Sequence, residues 1–282
     1  MTDRSLVQAD ELAKHLGDSD WFIADCRHEL LESSAGERKF LTGHIPGARH
    51  VHLDRDLSRI PKDTEGRHPL PSPAEFRETL QRLGISNHSK VVAYDDCGGA
   101  MAARLWWMLR WIGHENVAVL DGGMPVWVQK GLPLETETRS RPRTTYIARA
   151  LHSDWVVSTL ALPDQRSAGS VLLDARAAER FAGQVESIDP VPGHVPGAVN
   201  LPFEKLLTPA GTFAEPAHLR ASFKAALGGR RTEDTIAMCG SGVTACHLLL
   251  GMAAAGLGGG RLYAGSWSEW IRDPSRPVAT GP

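Results

Sequence analysis

The 282-residue chain carries 31 Lys and Arg against 33 Asp and Glu, a formal charge of −2, and is 42% hydrophobic. That balance gives no basic excess for nucleic acid, and the apolar content suffices for one large domain or two moderate ones. The polar opening MTDRSLVQADELAKHLGDSD lacks an apolar leader and no run reaches membrane-spanning length, so neither secretion nor a membrane is expected. Four cysteines (Cys26, Cys97, Cys239, Cys246) with no C-x-x-C pair make no disulfide framework, and a reducing cytoplasm is the simplest home.

In chain order, the first element is the apolar run of IADCRHE, Ile23–Glu29, which ends in Asp-x-Arg and is followed by GHIPGARHVHL, Gly43–Leu53. Val91–Tyr94 predicts a strand, Met101–Ile112 a helix, and Val117–Leu120 a second strand leading into LDGGMPVW, Leu120–Trp127. The polar, charged and proline-containing stretch LPLETETRSRPRTTY, Leu132–Tyr146, reads as a linker. Beyond it the same series returns: LLDARAAE at Leu172–Glu179, GHVPGAVNLPF at Gly193–Phe203, DTIAMCG at Asp234–Gly240 and YAGSWSEW at Tyr263–Trp270. Four ordered matches at a spacing of about 150 residues mean a duplicated domain. The expected division is 1–134, a linker over 135–146, and 147–282. Strand–helix alternation in each half predicts an α/β fold, a mainly parallel sheet with helices on both faces. Reactive groups in such sheets gather beyond the carboxyl ends of the strands.

Cys239 occupies that position, after the run TIAM. In CGSGVTA the glycines at 240 and 242 let the backbone curl with its N–H groups inward, ahead of the helical pattern CHLLLGMAAA. A curl leading into a helix N-terminus is an anion cradle, and the thiolate is the form it stabilises. Cys239 is therefore the candidate nucleophile, against the plainer alternative of a small buried residue at a strand end. Phosphatase chemistry of the C-x5-R type needs an arginine to clamp phosphate, and the residue in that position is Ala245. Sulfur transfer through a persulfide needs only the ring of N–H donors.

The tandem D-x-R, G-H-[IV]-P-G-A and C-G-S-G-V-T-A pattern resembles the two-domain rhodanese-type sulfurtransferases over nearly the whole chain. The loop CGSGVTA is similar to that of the 3-mercaptopyruvate sulfurtransferases, whereas thiosulfate sulfurtransferases typically carry Arg and Lys after the cysteine. The resemblance implies two tandem rhodanese-like domains, the first catalytically silent, as Asp95 in the place of Cys239 agrees. It implies Cys239, Ser241, His68 and Asp54 as the catalytic set, with Ser241 assisting proton transfer, His68 tuning its hydroxyl and Asp54 orienting the imidazole. Asp56 and His52 are close competitors of Asp54. For substrate binding it implies Arg180 with the loop residues Gly240, Gly242, Val243 and Thr244. A second arginine usual in that family is absent from QVESIDPVPGH, Gln184–His194. No metal or organic cofactor is implied, and the partners would be a small-molecule sulfur donor and a thiol acceptor such as thioredoxin or a small thiol. Thiosulfate is the alternative donor, and a non-enzymatic sulfur-binding module the alternative class.

Other features read as scaffold. His44 and His194, and the pairs Asp25/Arg27 and Asp174/Arg176, recur in both halves, including the silent one. Trp106, Trp107 and Trp111 sit at helical spacing, as core or domain-interface residues do. Cys97 follows two acidic residues that disfavour a thiolate, and Cys246 lies about two helical turns beyond Cys239, too far for a direct disulfide.

Overall fold

The computed structural model describes residues 5–147 and 151–282. Residues 148–150, at the expected start of the second domain, lie outside that range. Two compact units are present, one comprising Met1–Arg59, Leu70–His152 and Thr208–Phe213, the other Ile60–Pro69, Ser153–Leu207 and Ala214–Pro282. This differs from a cut at 135–146 in two respects. Each unit takes a short segment from the other sequence half, and the polar stretch expected as a linker is bonded along the first unit. Within it, Glu135 pairs backbone to backbone with His44, the Arg141 guanidinium donates to the Trp21 carbonyl at 2.6 Å, and the Thr144 hydroxyl donates to the Ile85 carbonyl at 2.6 Å. Tyr146 is buried. Its charged residues thus satisfy exposed backbone groups of one domain rather than spanning two.

The first unit contains β1 (Leu6–Val7), β2 (Trp21–Asp25), β3 (Arg49–His50), β4 (Lys90–Tyr94) and β5 (Val117–Leu120). They form one parallel sheet in the order β1-β5-β4-β2-β3. The second contains β6 (Val171–Asp174), β7 (Val199–Asn200), β8 (Thr235–Met238) and β9 (Arg261–Leu262), parallel in the order β7-β6-β8-β9. A single parallel bridge between Val156 and Leu262 stands where β1 pairs with β5 in the first unit. β2, β4, β5, β6 and β8 are buried along almost their whole length, which explains continuous apolar runs in place of alternation.

Helix ends follow local chemistry. Pro73–Leu83 opens with a capping box between Ser72 and Glu75, has Pro73 at its first position, and stops at Gly84 in the left-handed region. Ala102–Trp111, the helix after β4, is buried on almost every side, with Trp106, Trp107 and Trp111 all interior, so these tryptophans are core.

The repeated motifs are structural, as expected of features shared by both halves. Arg27 forks onto Asp25 and donates from Nη2 to the Gly43 carbonyl at 2.8 Å; Arg176 does the same with Asp174 and the Gly193 carbonyl at 2.8 Å. Each pair is buried, so removing one partner would strand a charge, at a cost of about 3–5 kcal/mol. His44 and His194 donate from Nδ1 to the Phe40 and Phe181 carbonyls at 2.8 Å and stack on those same rings.

Candidate active site

β8 ends at Met238, and Cys239 is the first residue beyond it, only 2% exposed. Residues 239–244 form the loop, and the helix Ala245–Ala254 begins directly after Thr244. The N–H groups of a helix's first turn have no intrahelical acceptors, which is why such a junction suits a negative atom. The Gly242 N–H points at the thiol, donating to Cys239 Sγ at 3.1 Å. Gly242 has φ +78°, and a Cβ there would stand 2.4 Å from the Ala264 carbonyl oxygen, so only glycine fits.

A second segment clamps the loop from β9. The Trp267 N–H donates to the Cys239 carbonyl at 3.0 Å and the Ser268 N–H to the Gly240 carbonyl at 2.8 Å. Ser266 accepts the Cys239 N–H on its hydroxyl at 3.1 Å and donates to the Tyr263 carbonyl at 2.9 Å. It does so at φ +54°, the one non-glycine with positive φ among the described residues. The equivalent position in the first unit is Gly123, also at φ +54°.

Segment Ile60–Pro69, although it precedes the linker in sequence, belongs to the unit that holds Cys239. Its Arg67 N–H donates to the Ser268 hydroxyl at 3.1 Å, and Gly66 lies so close to the Gly265 carbonyl that a Cβ would be 2.6 Å from it. His68 is carried in by this anchoring. Its Nδ1 is 2.7 Å from Ser241 Oγ, both residues being buried. The structure thus brings together Cys239, Ser241 and His68 with Gly240, Gly242, Val243 and Thr244. Asp54 falls in the first unit, where its N–H donates to His52 Nδ1 at 3.1 Å. Of its competitors there, Asp56 accepts the His52 N–H at 2.8 Å and pairs with Arg82, a structural role. His28, His52 and Asp54 lie near enough to suggest a metal site, with ligand atoms within 4.8 Å of one another. However, His52 Nε2–H donates to the Ser33 carbonyl and its Nδ1 accepts from Asp54, leaving no lone pair for an ion.

Arg180 is placed beside the loop, but its fork is engaged. Nε and Nη2 hold both Glu186 oxygens at 2.8–3.2 Å, and Nη2 also reaches Asp189 Oδ2 at 3.1 Å. Burial opposes the Glu186 charge, yet Arg180 and the N–H groups of Asp189 and Ile188 hold its carboxyl below the usual range. Asp189 is raised, by burial first and by the nearby Glu186, against the pull of Arg67 and Arg180. Arg67 pairs with Asp189 through Nη1 and turns Nη2 toward Gly240, 2.9 Å from where a Cβ on that glycine would stand. Sequence reasoning missed Arg67 and both acids. The stretch 184–194 reads as deficient in a cation, whereas it supplies carboxylates that hold cations from elsewhere.

In the first unit the matching loop is occupied by its own chain. Asp95 Oδ1 accepts the N–H groups of Cys97 and Gly99 at 2.9 and 2.8 Å, and Oδ2 accepts those of Met101 and Ala102 at 2.8 Å each. Cys97 beside it is pushed well above the ordinary thiol range by burial, with Asp95 and Asp96 adding to the effect. All four cysteines are free thiols.

The family model described as "Rhodanese-like domain" matches residues 8–130 and again 158–273. A Pseudomonas aeruginosa protein named "Probable 3-mercaptopyruvate sulfurtransferase" is 46% identical over 284 residues, the full length of both chains. The thiosulfate sulfurtransferase of Bos taurus is 35% identical over 261 residues, covering 90% of this chain and 84% of its own. Among solved structures, the 3-mercaptopyruvate sulfurtransferase from Leishmania major superposes with a TM-score of 0.86 at 32% identity, covering 97% of this chain and 76% of that one. No helix among the described residues is long and apolar enough to cross a membrane. The duplicated parallel sheets, the cysteine loop after the second unit's central strand and these matches together make the chain a member of the rhodanese-like family, with two such domains in tandem.

Proposed function

We propose that the chain is a sulfurtransferase that takes sulfur from 3-mercaptopyruvate onto Cys239 and passes it to a thiol or, in an assay, to cyanide. The observation that carries this reading is the contact of His68 Nδ1 with Ser241 Oγ at 2.7 Å, two residues from a thiol that accepts an N–H from its own loop. The Cys239 thiolate attacks the donor's thiol sulfur, forming an S–S bond. The carbon–sulfur bond breaks and its electron pair leaves on carbon as the pyruvate enolate. The enolate takes a proton to give pyruvate, and Ser241, with His68 behind it, is the group placed to deliver one. Cys239 is left as a persulfide, its terminal sulfur held by the loop N–H groups. An acceptor thiolate, from thioredoxin or a small thiol, attacks that sulfur and restores Cys239, which makes the cycle ping-pong.

The reading is supported by relatives of that name and by the neutral pair Gly240 and Ser241 after the cysteine. Four free thiols fit a reducing compartment, the cytoplasm. Thiosulfate is the second reading, favoured by the guanidinium groups of Arg67 and Arg180 near Gly240 and by relatives of that name. The test is kcat/KM for both donors on one preparation. A preference for 3-mercaptopyruvate is expected, and a preference for thiosulfate overturns the donor assignment. Intact-mass measurement should show one added sulfur after donor treatment. Its absence from the wild-type protein would leave a sulfur-binding module without turnover.

A further inference from the structure

We propose that the first unit holds a binding site for a small, flat, apolar carboxylate, in a cavity whose counterpart the second unit fills with its own side chains. The cavity, about 430 Å³, lies wholly within the first unit, and its apolar lining is Ala35, Met124, Val128 and Leu134, with Arg27 beside them. Sites for small organic ligands run from roughly 300 to 1,000 Å³ and are mostly apolar with a few polar groups. Around the same cavity, Arg38 is held by Glu32 and Lys39 by Glu29, so each of these cations has an acid next to it. Arg27 is different. Its side chain is 7% exposed, and Nε and Nη2 are spent on Asp25 and the Gly43 carbonyl, which leaves the Nη1 edge for a guest.

The duplication shows what such a place takes. Met124 and Trp267 are equivalents, since their N–H groups donate to the Asp95 and Cys239 carbonyls, and Lys39 precedes Phe40 as Arg180 precedes Phe181. In the second unit the Trp267 side chain is fully buried, with Arg176 Cζ 4.8 Å from its ring centre, and its indole N–H donates to the Val191 carbonyl at 2.9 Å. Glu186 stands with Oε2 3.8 Å from Arg176 Nη1, the same edge that Arg27 leaves open. Glu186 and Val191 belong to the stretch 184–192 between Gly183 and Gly193, whereas in the first unit Thr42 runs directly into Gly43. The first unit therefore keeps the guanidinium and lacks both the indole and the carboxylate laid against it. Tyr94, which stands where Met238 does, turns its ring to Arg27 at 6.0 Å and its hydroxyl to Asp25 without lining the cavity. A ligand that restores the missing parts has a ring to lie against Met124 and the guanidinium, and a carboxylate for Nη1. A second carboxylate beside the Arg–Asp pair is what the second unit already accommodates.

The test is isothermal titration calorimetry of the full chain with indole-3-acetate, and with tryptamine and indole as cationic and neutral carriers of the same ring. Indole-3-acetate should bind at least about tenfold more tightly than either, as a charge-assisted bond to a buried guanidinium requires. Met124→Trp supplies the ring the second unit uses and should weaken that binding at least about tenfold by filling the cavity. Val128→Glu, at a half-exposed position in the cavity lining, should weaken it by about the same factor through repulsion of the carboxylate. Absent binding, or binding no tighter for indole-3-acetate than for tryptamine and indole, overturns the proposal. Affinity that either folded variant leaves unchanged also overturns it, by putting the ligand elsewhere on the chain. If Met124→Trp does not fold, Val128→Glu decides alone: the tenfold loss supports the site and an unaltered affinity overturns it. Sulfur transfer is not the readout, so the outcome is independent of the role given to Cys239.

Discussion

The two loop positions, Asp95 in the first unit and Cys239 in the second, stand at the equivalent register beyond equivalent strands, β4 and β8, of the two sheets. Asp25 pairs with Tyr94 and Asp174 with Met238, one residue before each. The first loop closes on its own carboxylate, which accepts four backbone N–H groups. The second closes on a thiol that accepts one. A ring of inward N–H groups is costly to bury without a negative partner. The first unit contains that partner as the Asp95 carboxylate, whereas in the second the Gly242 N–H meets the Cys239 thiol. A carboxylate and a thiol are thus two ways of satisfying one backbone.

The comparison is broken most completely by Cys239→Ser, which should lower turnover at least about a thousandfold and abolish sulfur uptake. Cys97→Ser should take up sulfur like the wild type, and intact mass reads both. Uptake lost in Cys97→Ser but kept in Cys239→Ser would reverse the roles of the two loops. Next in size is Asp95→Asn, whose amide turns an NH2 toward N–H donors that now meet a carboxylate oxygen. A loss of about 2–3 kcal/mol is expected by urea unfolding, against little change if the cradle needs no charge.

Gly242→Ala and Gly240→Ala sharpen the contrast within one loop. The first forces a Cβ against the Ala264 carbonyl at φ +78° and should cost about 1–3 kcal/mol, with activity lost. The second comes within 3.0 Å only of the movable end of Arg67, so it should fold normally. Equal melting temperatures for the two variants would contradict this. The smallest effect concerns reactivity with pH. Burial raises the Cys26 and Cys97 thiols above the ordinary range, so both stay protonated as pH rises from 7 to 9. Iodoacetamide should leave them unlabelled across that interval, and peptide mapping that finds either one carbamidomethylated at pH 8 would refute it.

Much of this was legible in the sequence because duplication prints every structural motif twice. His44 and His194 could be assigned to the scaffold by their recurrence alone, and Cys239 stood out because its counterpart is an acid. What escaped was whatever depends on residues distant in sequence. Arg67 looks like a loop cation until segment 60–69 is found in the unit of the cysteine loop. Glu186 and Asp189 carry no local signal, since their meaning lies in the arginines they hold. The stretch 132–146 has a linker's composition because its polar groups bond exposed backbone along the first unit. Ser266 is harder still: nothing in YAGSWSEW announces a left-handed serine.

The placement of Ile60–Pro69 has a consequence for how such a chain can change. A duplicated gene ordinarily leaves one copy free to be lost, and a domain with no chemistry of its own is the natural candidate for loss. Here a fragment covering 147–282 would keep Cys239 and Ser241 but would part with His68 and Arg67, which are encoded before the seam. Deletion of the first half therefore removes pieces of the second. Ten residues encoded in the first half are built into the other unit, so the two halves can no longer be parted at the seam without loss to the second.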